Sequence, residues 1–217
     1  MLEGKAVNAI EISALRQEEL RPIIQDLPDL DLARFDYRSF HAPSQLELAF
    51  EQSAVELLGR VSSKGWPIVV HPDAIHTPDL WRPFGKNLCI ENMDKRKPMG
   101  RTVDELRFIF DSFPEASFCF DVGHARQVDP TMSGAAAILH SYGDRLLQLH
   151  VSEVNTQSKH DPITYETLLA CRRIAHLIPE EMPIIVESRV LEPAIENELY
   201  NACRAFEPLP QLAIAGD

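Results

Sequence analysis

The sequence has no long apolar run, no basic segment at its start and no excess of positive charge, and each absence excludes a class of protein. No apolar stretch approaches the roughly 20 residues of a membrane span. The first residues lack a basic segment followed by an apolar core, so we expect no signal peptide. Lys and Arg number 21 against 33 Asp and Glu, a formal net charge of −12. That charge disfavours nonspecific binding to nucleic acid and anionic membranes.

Cysteine is also scarce. The four cysteines are far apart, lie in apolar stretches and form no CxxC pair: Cys89, Cys119, Cys171 and Cys203. This pattern predicts buried free thiols in a reducing compartment, and we expect a cytoplasmic protein.

The 217 residues are 45% apolar and 25% charged, as in an ordinary globular protein. We expect one domain over residues 1–217. Disordered chains and small disulfide scaffolds are excluded by this composition. The chain is shorter than the roughly 250 residues of a complete eight-stranded (β/α) barrel.

Short β-rich runs alternate with amphipathic helices, which predicts βα units and a parallel sheet. Seven such runs are present: Val7–Ser13, Tyr37–Ala42, Pro67–Pro72, Asn87–Asn92, Ser117–Val122, Leu146–Val151 and Met182–Ser188. The spacing of Ser44 and Glu47 predicts a helix that begins at Ser44 with a capping box. The connection from Asp73 to Lys86 lacks a helical pattern and is a candidate active-site loop.

Nearly every predicted strand ends in a residue type that binds metals. These residues are His41, His71, Glu91, Asp121, His150 and Glu187, and His124 and His160 lie close behind two of the strands. The carboxyl ends of parallel strands meet on one face, so these side chains should converge. Convergent carboxylates are costly without compensation, and divalent cations supply it. A mixture of imidazole and carboxylate favours Zn²⁺, Mn²⁺ or Fe.

A basic loop follows the strand that ends at Glu91. Its positive residues are Lys95, Arg96, Lys97 and Arg101. The pattern is equally consistent with a solvated loop and with a docking patch for a substrate phosphate or carboxylate.

Several segments together resemble the xylose-isomerase-like barrels, a superfamily that includes endonuclease IV and sugar phosphate isomerases and epimerases. They are SFHAP, IVVHPD, CIENMD, FDVGHA, LQLHVSE, SKHDP and IIVES. The resemblance implies a TIM-type (β/α) barrel and places Val7–Ser13 at the second strand of the family. The barrel should therefore be incomplete, with seven strands and without the family's first βα unit. An exposed edge would result, and we expect a homodimer contact to cover it.

The endonuclease IV pattern implies a zinc site of two or three ions. One ion would be held by His41, His71 and Glu91, with Glu91 bridging to a second ion at Asp121, His150 and Glu187. A third would take His124 and His160, but Ser158 stands where the pattern has its aspartate.

Two enzymatic functions remain open. The favoured one is a zinc hydrolase that attacks a small phosphoester or sugar phosphate with a metal-bridged hydroxide. The alternative is a sugar or sugar phosphate isomerase or epimerase with one Mn²⁺ or Mg²⁺, in which Glu91 and Glu187 transfer the proton and His124 contacts substrate. A ligand-binding barrel without catalysis is a third class. Nucleic acid is not an expected substrate, because the first two strands lead almost directly into helices and leave no loop that could contact a duplex.

Overall fold

Seven parallel strands form a nearly closed barrel in the computed structural model, which describes residues 4–207. The strands are β1 (Ala9–Ser13), β2 (Tyr37–His41), β3 (Ile68–Val70), β4 (Leu88–Glu91), β5 (Ser117–Asp121), β6 (Leu146–Val151) and β9 (Ile184–Val186). Each pairs in parallel with the next one along the barrel wall. The seven-stranded TIM-type barrel expected from the sequence is confirmed over this range.

Helices follow the strands and pack around them. They are α1 (Gln17–Asp26), α2 (Leu48–Ser62), α3 (Pro78–Trp81), α4 (Val103–Ser112), α5 (Val122–Val128), α6 (Ser133–Tyr142), α7 (Tyr165–Ile174) and α8 (Ile195–Phe206). None of the helices within residues 4–207 is long and apolar enough to cross a membrane.

Strand alternation separates the outer core from the barrel interior. In β5, Phe118 and Phe120 belong to the large apolar core shared with the helices, whereas Cys119 packs inside the barrel with Val69 and Cys89. Successive side chains of a strand point to opposite faces, so Asp121 lies on the same face as Cys119. Cys89 and Cys119 therefore place small side chains in the interior beneath the ends of β4 and β5.

The barrel has one seam. β1 and β9 approach within 8 Å between Cα atoms, but no backbone hydrogen bond joins them in the sheet of the described residues. A groove of about 420 Å³ lies along this seam, lined by residues of β1, β9 and α8.

A second, two-stranded antiparallel sheet was not predicted. It pairs β7 (Glu153–Val154) with β8 (His160–Asp161) just beyond the end of β6. The ribbon matters for the site because it folds His160 back over the end of the barrel.

Two local predictions were wrong. Helix α2 begins at Leu48 rather than at Ser44, because the backbone of Ser44 pairs elsewhere: its N–H donates to the Leu15 carbonyl oxygen, and its own carbonyl accepts from Lys97 Nζ. The connection from Asp73 to Lys86 does contain a helix, the short α3.

The prediction that the cysteines are buried is confirmed for three of the four. Cys89, Cys119 and Cys171 are buried, as predicted, while Cys203 near the end of α8 is exposed. All four are free thiols.

Glu51 fixes the Asp73–Lys86 connection from beneath. Its side chain is buried in α2, and Oε1 accepts hydrogen bonds from His76 N at 2.7 Å, Thr77 N at 2.9 Å and Trp81 Nε1 at 2.9 Å. These hydrogen bonds lower the pKa of Glu51 although burial acts to raise it. A buried carboxylate thus supplies the acceptor that three donors need.

We expect Glu51→Ala to destabilise the fold by about 3 kcal/mol, because three donors lose their partner. Glu51→Gln, which retains an acceptor oxygen, should cost roughly half as much. Urea unfolding measures both. Glu56→Ala on the exposed side of the same helix is the control and should change stability by less than about 0.5 kcal/mol. Equal losses for Glu51→Ala and Glu56→Ala would contradict the role of Glu51.

Candidate metal centre

The six ionisable side chains at the strand ends converge at the carboxyl end of the barrel. His41, Glu91, Asp121 and His150 are each exposed by 2% or less, and His71 by 8%. Glu187 follows β9 and keeps 19% of its side chain exposed. Four of the six, His41, His71, Glu91 and Glu187, line a cleft of about 920 Å³. The structure therefore brings together all six residues that the sequence placed at the ends of the strands.

Glu91 stands at the centre of the cluster, and its two oxygens face opposite ways. Oε2 lies 3.2 Å from Nε2 of both His41 and His71. Oε1 lies 3.3 Å from His150 Nδ1 and 3.4 Å from His124 Nδ1. One carboxylate thus belongs to two groups of candidate ligands.

Asn92, which sequence reasoning missed, locks the ends of β4 and β5 together. Its amide donates to the Asp121 carbonyl oxygen at 2.9 Å and accepts from Asp121 N at 2.8 Å. The backbone carbonyl oxygen of Asn92 lies 3.0 Å from His124 Nδ1. Asn92 therefore orients both Asp121 and His124.

Asp121 serves two structures at once. Oδ1 accepts from His124 N at 2.6 Å and caps helix α5, whereas Oδ2 is buried without a hydrogen-bond partner among the described residues. Gly123 allows α5 to start so close to the sheet, because a Cβ there would lie 2.8 Å from the Ser152 carbonyl oxygen. One oxygen of Asp121 is therefore left available to a ligand.

Burial and mutual charge set the pKa values of the cluster. Burial, with help from Glu187 and Glu91, raises the pKa of Asp121. Burial would do the same to Glu91, but His150 and His71 hold the pKa of its carboxyl well below the usual range. Burial acts to lower the pKa of the His41 imidazole, yet the carboxylates of Glu91 and Glu11 raise that pKa to about 9. Histidines thus compensate the buried carboxylates.

The residues fit a divalent metal. Asp121 Oδ2, Glu187 Oε2 and His71 Nδ1 are buried without a hydrogen bond among the described residues, although Glu187 Oε2 has an ion-pair contact with His160 Nδ1 at 3.3 Å. Buried polar atoms are rarely left unpaired in proteins, so this group of three needs an explanation. Three sets among the described residues have all their ligand atoms within 4.8 Å of one another, and one of them includes Glu11 with His41, His150 and Glu187. The other two contain only residues at the strand ends: His41, His71 and Glu91, and Glu91, Asp121, His150 and Glu187. Imidazole and carboxylate at this spacing suit Zn²⁺ or Mn²⁺.

The third ion expected from the sequence has a poorer set of candidate ligands. The rings of His124 and His160 are 5.6 Å apart, and neither belongs to a group of three close ligands within the described residues. Ser158 donates through Oγ to Asp94 Oδ1 at 2.7 Å. His160 Nδ1 instead lies 2.8 Å from Ser152 Oγ and 3.3 Å from a carboxylate oxygen of Glu187.

The basic loop divides between the cleft and the surface. Arg96 and Lys97 line the cleft. Lys97 forms an ion pair with Asp73 at 2.8 Å, and Arg96 donates to the Gln157 carbonyl oxygen. Lys95 does not line the cleft, nor does Arg101, which pairs with Glu105.

Other walls of the cleft come from connections that the sequence did not assign to a site. Residues 15–18 and 44–47, after β1 and β2, line it, as do Glu11 and Arg189. The predicted active-site loop from Asp73 to Lys86 does not line it, which corrects that expectation. Glu11 lies within an apolar strand pattern, and its charge in a run of Val, Ala and Ile is the signal that could have identified it.

Comparison with known proteins shows the fold. Endonuclease IV from Thermus thermophilus superimposes with a TM-score of 0.57 at 17% identity, over 88% of this chain and 79% of that one. The chain therefore shares the (β/α) barrel fold of that enzyme. A 3-keto-D-glucoside 4-epimerase from E. coli also aligns, with a TM-score of 0.47 at 13% identity over 89% of this chain and 98% of that one. Neither a protein-family model nor a curated protein sequence matches the chain.

Asp121→Asn tests the metal centre. Wild type should gain about 5–10 °C in Tm when Zn²⁺ is added at about 100 times its Kd, since such binding contributes about 2.7 kcal/mol. The metal-free variant should be at least as stable as metal-free wild type near pH 7, because it loses a carboxylate whose ionisation is disfavoured by burial and by Glu187 and Glu91. Its Zn²⁺-induced rise in Tm should be largely lost. Differential scanning fluorimetry measures both.

The control is Asp129→Asn, which alters an aspartate just before α6, outside the cluster. It should keep the full Zn²⁺-induced rise. An equal rise in wild type and Asp121→Asn would contradict the role of Asp121 as a ligand.

Proposed function

We propose that the chain is a divalent-metal-dependent hydrolase of a small phosphoester or sugar phosphate, with two zinc ions joined by Glu91. One observation carries the proposal: Glu91 directs one oxygen to His41 and His71 and the other to His150, at 3.2–3.3 Å. A single-metal reaction gives His41 and His71 no role, whereas a bridging carboxylate between two ions uses both.

Two such ions lower the pKa of water and stabilise negative charge on a phosphoryl group. Glu187 lies at the edge of the cleft, and its pKa is lowered by His150 and His160 against the effect of burial, so it is ionised and can accept a proton from water. His124 has a raised pKa, since Asp121 and Glu91 outweigh burial. It can therefore donate a proton to the leaving oxygen as the ester bond to phosphorus breaks.

Positive groups at the mouth of the cleft favour an anionic substrate. Arg96, Lys97 and Arg189 line it, and the exposed Arg189 follows Glu187 by two residues. Arg96 and Lys97 belong to the predicted basic loop, and we propose that they hold the substrate phosphate or carboxylate. The net charge of −12 favours a small substrate over a nucleic acid.

Metal analysis and turnover test the proposal together. We expect wild type to bind two Zn²⁺ per chain and to hydrolyse a generic phosphoester such as p-nitrophenyl phosphate or its diester. His71→Ala should bind one ion fewer, and Glu187→Gln should lose about 10²–10⁴-fold in kcat because it removes the proton acceptor.

His140→Gln is the control, because His140 is exposed on α6 away from the cleft, and it should retain both ions and the full rate. One ion per chain that is unaffected by His71→Ala would overturn the two-metal hydrolase. Two ions without any turnover would favour the non-catalytic barrel.

The second candidate is a sugar or sugar phosphate isomerase or epimerase. It is favoured by the compact set of Glu91, Asp121, His150 and Glu187, which could hold one Mn²⁺ or Mg²⁺. Glu91 and Glu187 each place an oxygen 3.3 Å from His150 Nδ1, so two carboxylates are available around that position to move a proton to and from carbon.

Solvent deuterium distinguishes the two reactions. An isomerase or epimerase should incorporate deuterium from D₂O into a ketose or ketose phosphate, detected by NMR, and Glu187→Gln should slow the exchange at least about 10²-fold. The hydrolase should incorporate none. Exchange across a sugar panel in the Mn²⁺-loaded protein would replace the first proposal with the second.

The homodimer contact expected at the barrel edge stays a prediction. The seam between β1 and β9 is the surface it would cover. Sedimentation of the purified chain would test it.

A further inference from the structure

The positively charged side chains that line the cleft differ in whether a carboxylate already pairs with them. Arg16 and Lys97 each form an ion pair with a carboxylate outside the metal centre, at 2.5 Å and 2.8 Å. Arg96 and Arg189 line the same cleft and form no ion pair with a carboxylate of residues 4–207. The charge of these two arginines is therefore not offset by a contact with a neighbouring acid.

Arg189 combines a fixed backbone with a free side chain. Its N–H donates to the His160 carbonyl oxygen at 3.1 Å, and Glu187 N donates to the Val151 carbonyl oxygen at 3.1 Å. The segment after β9 is thus joined to both β6 and β8. The exposed guanidinium has no hydrogen bond to any of the described residues, and it lines the cleft. A free cation therefore stands two residues beyond a candidate metal ligand.

Arg96 approaches the ribbon of β7 and β8 from the loop after β4. Its guanidinium donates to the Gln157 carbonyl oxygen, in the turn of that ribbon. A carbonyl accepts a hydrogen bond but cancels no charge, and a guanidinium has five N–H donors. Asp94 Oδ1 accepts from Arg96 N at 2.7 Å, which fixes the backbone of the loop. Arg96 and Arg189 are thus held on the same ribbon, and both guanidinium groups keep donors for an anion.

We infer that Arg189, together with Arg96, forms a subsite for an oxyanion beside the metal centre, and that the substrate carries a second anionic group besides the one that reacts. The inference rests on the proposed function, in which the reacting phosphoryl group occupies the metal centre. The forked N–H donors of a guanidinium match two oxygens of a carboxylate or a phosphate. A cleft of about 920 Å³ has room for both groups of a small substrate.

Two other roles for Arg189 make different predictions. It could contact the reacting phosphoryl group itself, in which case its loss would weaken the binding of every phosphoryl ligand by the same factor. It could also be a solvated surface arginine that acts only through the net charge. Removal of any exposed arginine would then have the same small effect. A separate subsite differs from both, because the effect then depends on a second anionic group in the ligand.

Binding of matched phosphonates to the full Zn²⁺-loaded chain distinguishes the three roles without any turnover. The probes are ethylphosphonate and propylphosphonate, and the same two molecules with a terminal carboxylate, phosphonopropionate and phosphonobutyrate. In wild type we expect the carboxylate of at least one pair to strengthen binding about 10-fold, measured by isothermal titration calorimetry. In Arg189→Gln this ratio of affinities should fall toward one. Arg189→Lys should keep part of it, because an ammonium retains the charge without the fork.

A second phosphonate in place of the carboxylate identifies the oxyanion. Propane bisphosphonate, with one phosphonate at each end, is compared with phosphonobutyrate in wild type and in Arg189→Gln. The larger of the two Arg189-dependent gains shows whether the subsite takes a phosphate or a carboxylate.

The matched control is Arg60→Gln, which removes the same charge from an exposed position on α2 outside the cleft. It should keep the full gain from the second anion. No gain in wild type, or the same ratio in Arg189→Gln as in wild type, would overturn the subsite, while binding of the alkylphosphonates would still support the metal centre. A gain that Arg189→Gln loses, together with no hydrolysis of any phosphoester, would uphold the subsite and overturn the hydrolase.

Discussion

The burial of several carboxylates in one small volume is the constraint on which the rest of the structure depends. Glu91 and Asp121 have almost no exposed surface, and Glu187 is only partly open to the cleft. Like charges at this distance are unfavourable unless positive groups lie between them. The surrounding histidines supply positive charge when no metal is bound, and bound divalent ions would supply it instead. Small side chains such as Cys89 and Cys119 in the interior leave room for the cluster above them.

The arrangement of the ligands connects fold and function. Every one of the six converging residues stands at or directly after the end of a parallel strand, so the register of the sheet fixes their distances. Backbone pairing is more rigid than a loop, and sites built on strands are accordingly precise. The connections that follow β1 and β2 then form the walls of the cleft. The residues that line the walls can therefore change while the geometry of the six converging side chains is preserved.

The strand ends were well predicted because alternation and a polar terminal residue are local signals in the sequence. His41, Asp121 and Glu187 were identified in this way. Prediction failed where tertiary contacts decide. Ser44 has the spacing of a capping residue, but its backbone groups pair with distant parts of the chain, and the helix begins at Leu48. Glu11 and Asn92 were missed because their importance lies in partners distant along the chain.

His150 also connects the two strands on either side of the seam, β1 and β9. No ladder of backbone hydrogen bonds holds these two strands together within residues 4–207. Yet Glu11 on β1 and Glu187 just after β9 both reach the same imidazole ring, one at each nitrogen. His150 on β6 thus fastens the first and last strands of the wall to one another through side chains. Any ion bound at this ring would also help to hold β1 and β9 together, so the same few atoms would fix both the closure of the barrel and the geometry of the metal centre.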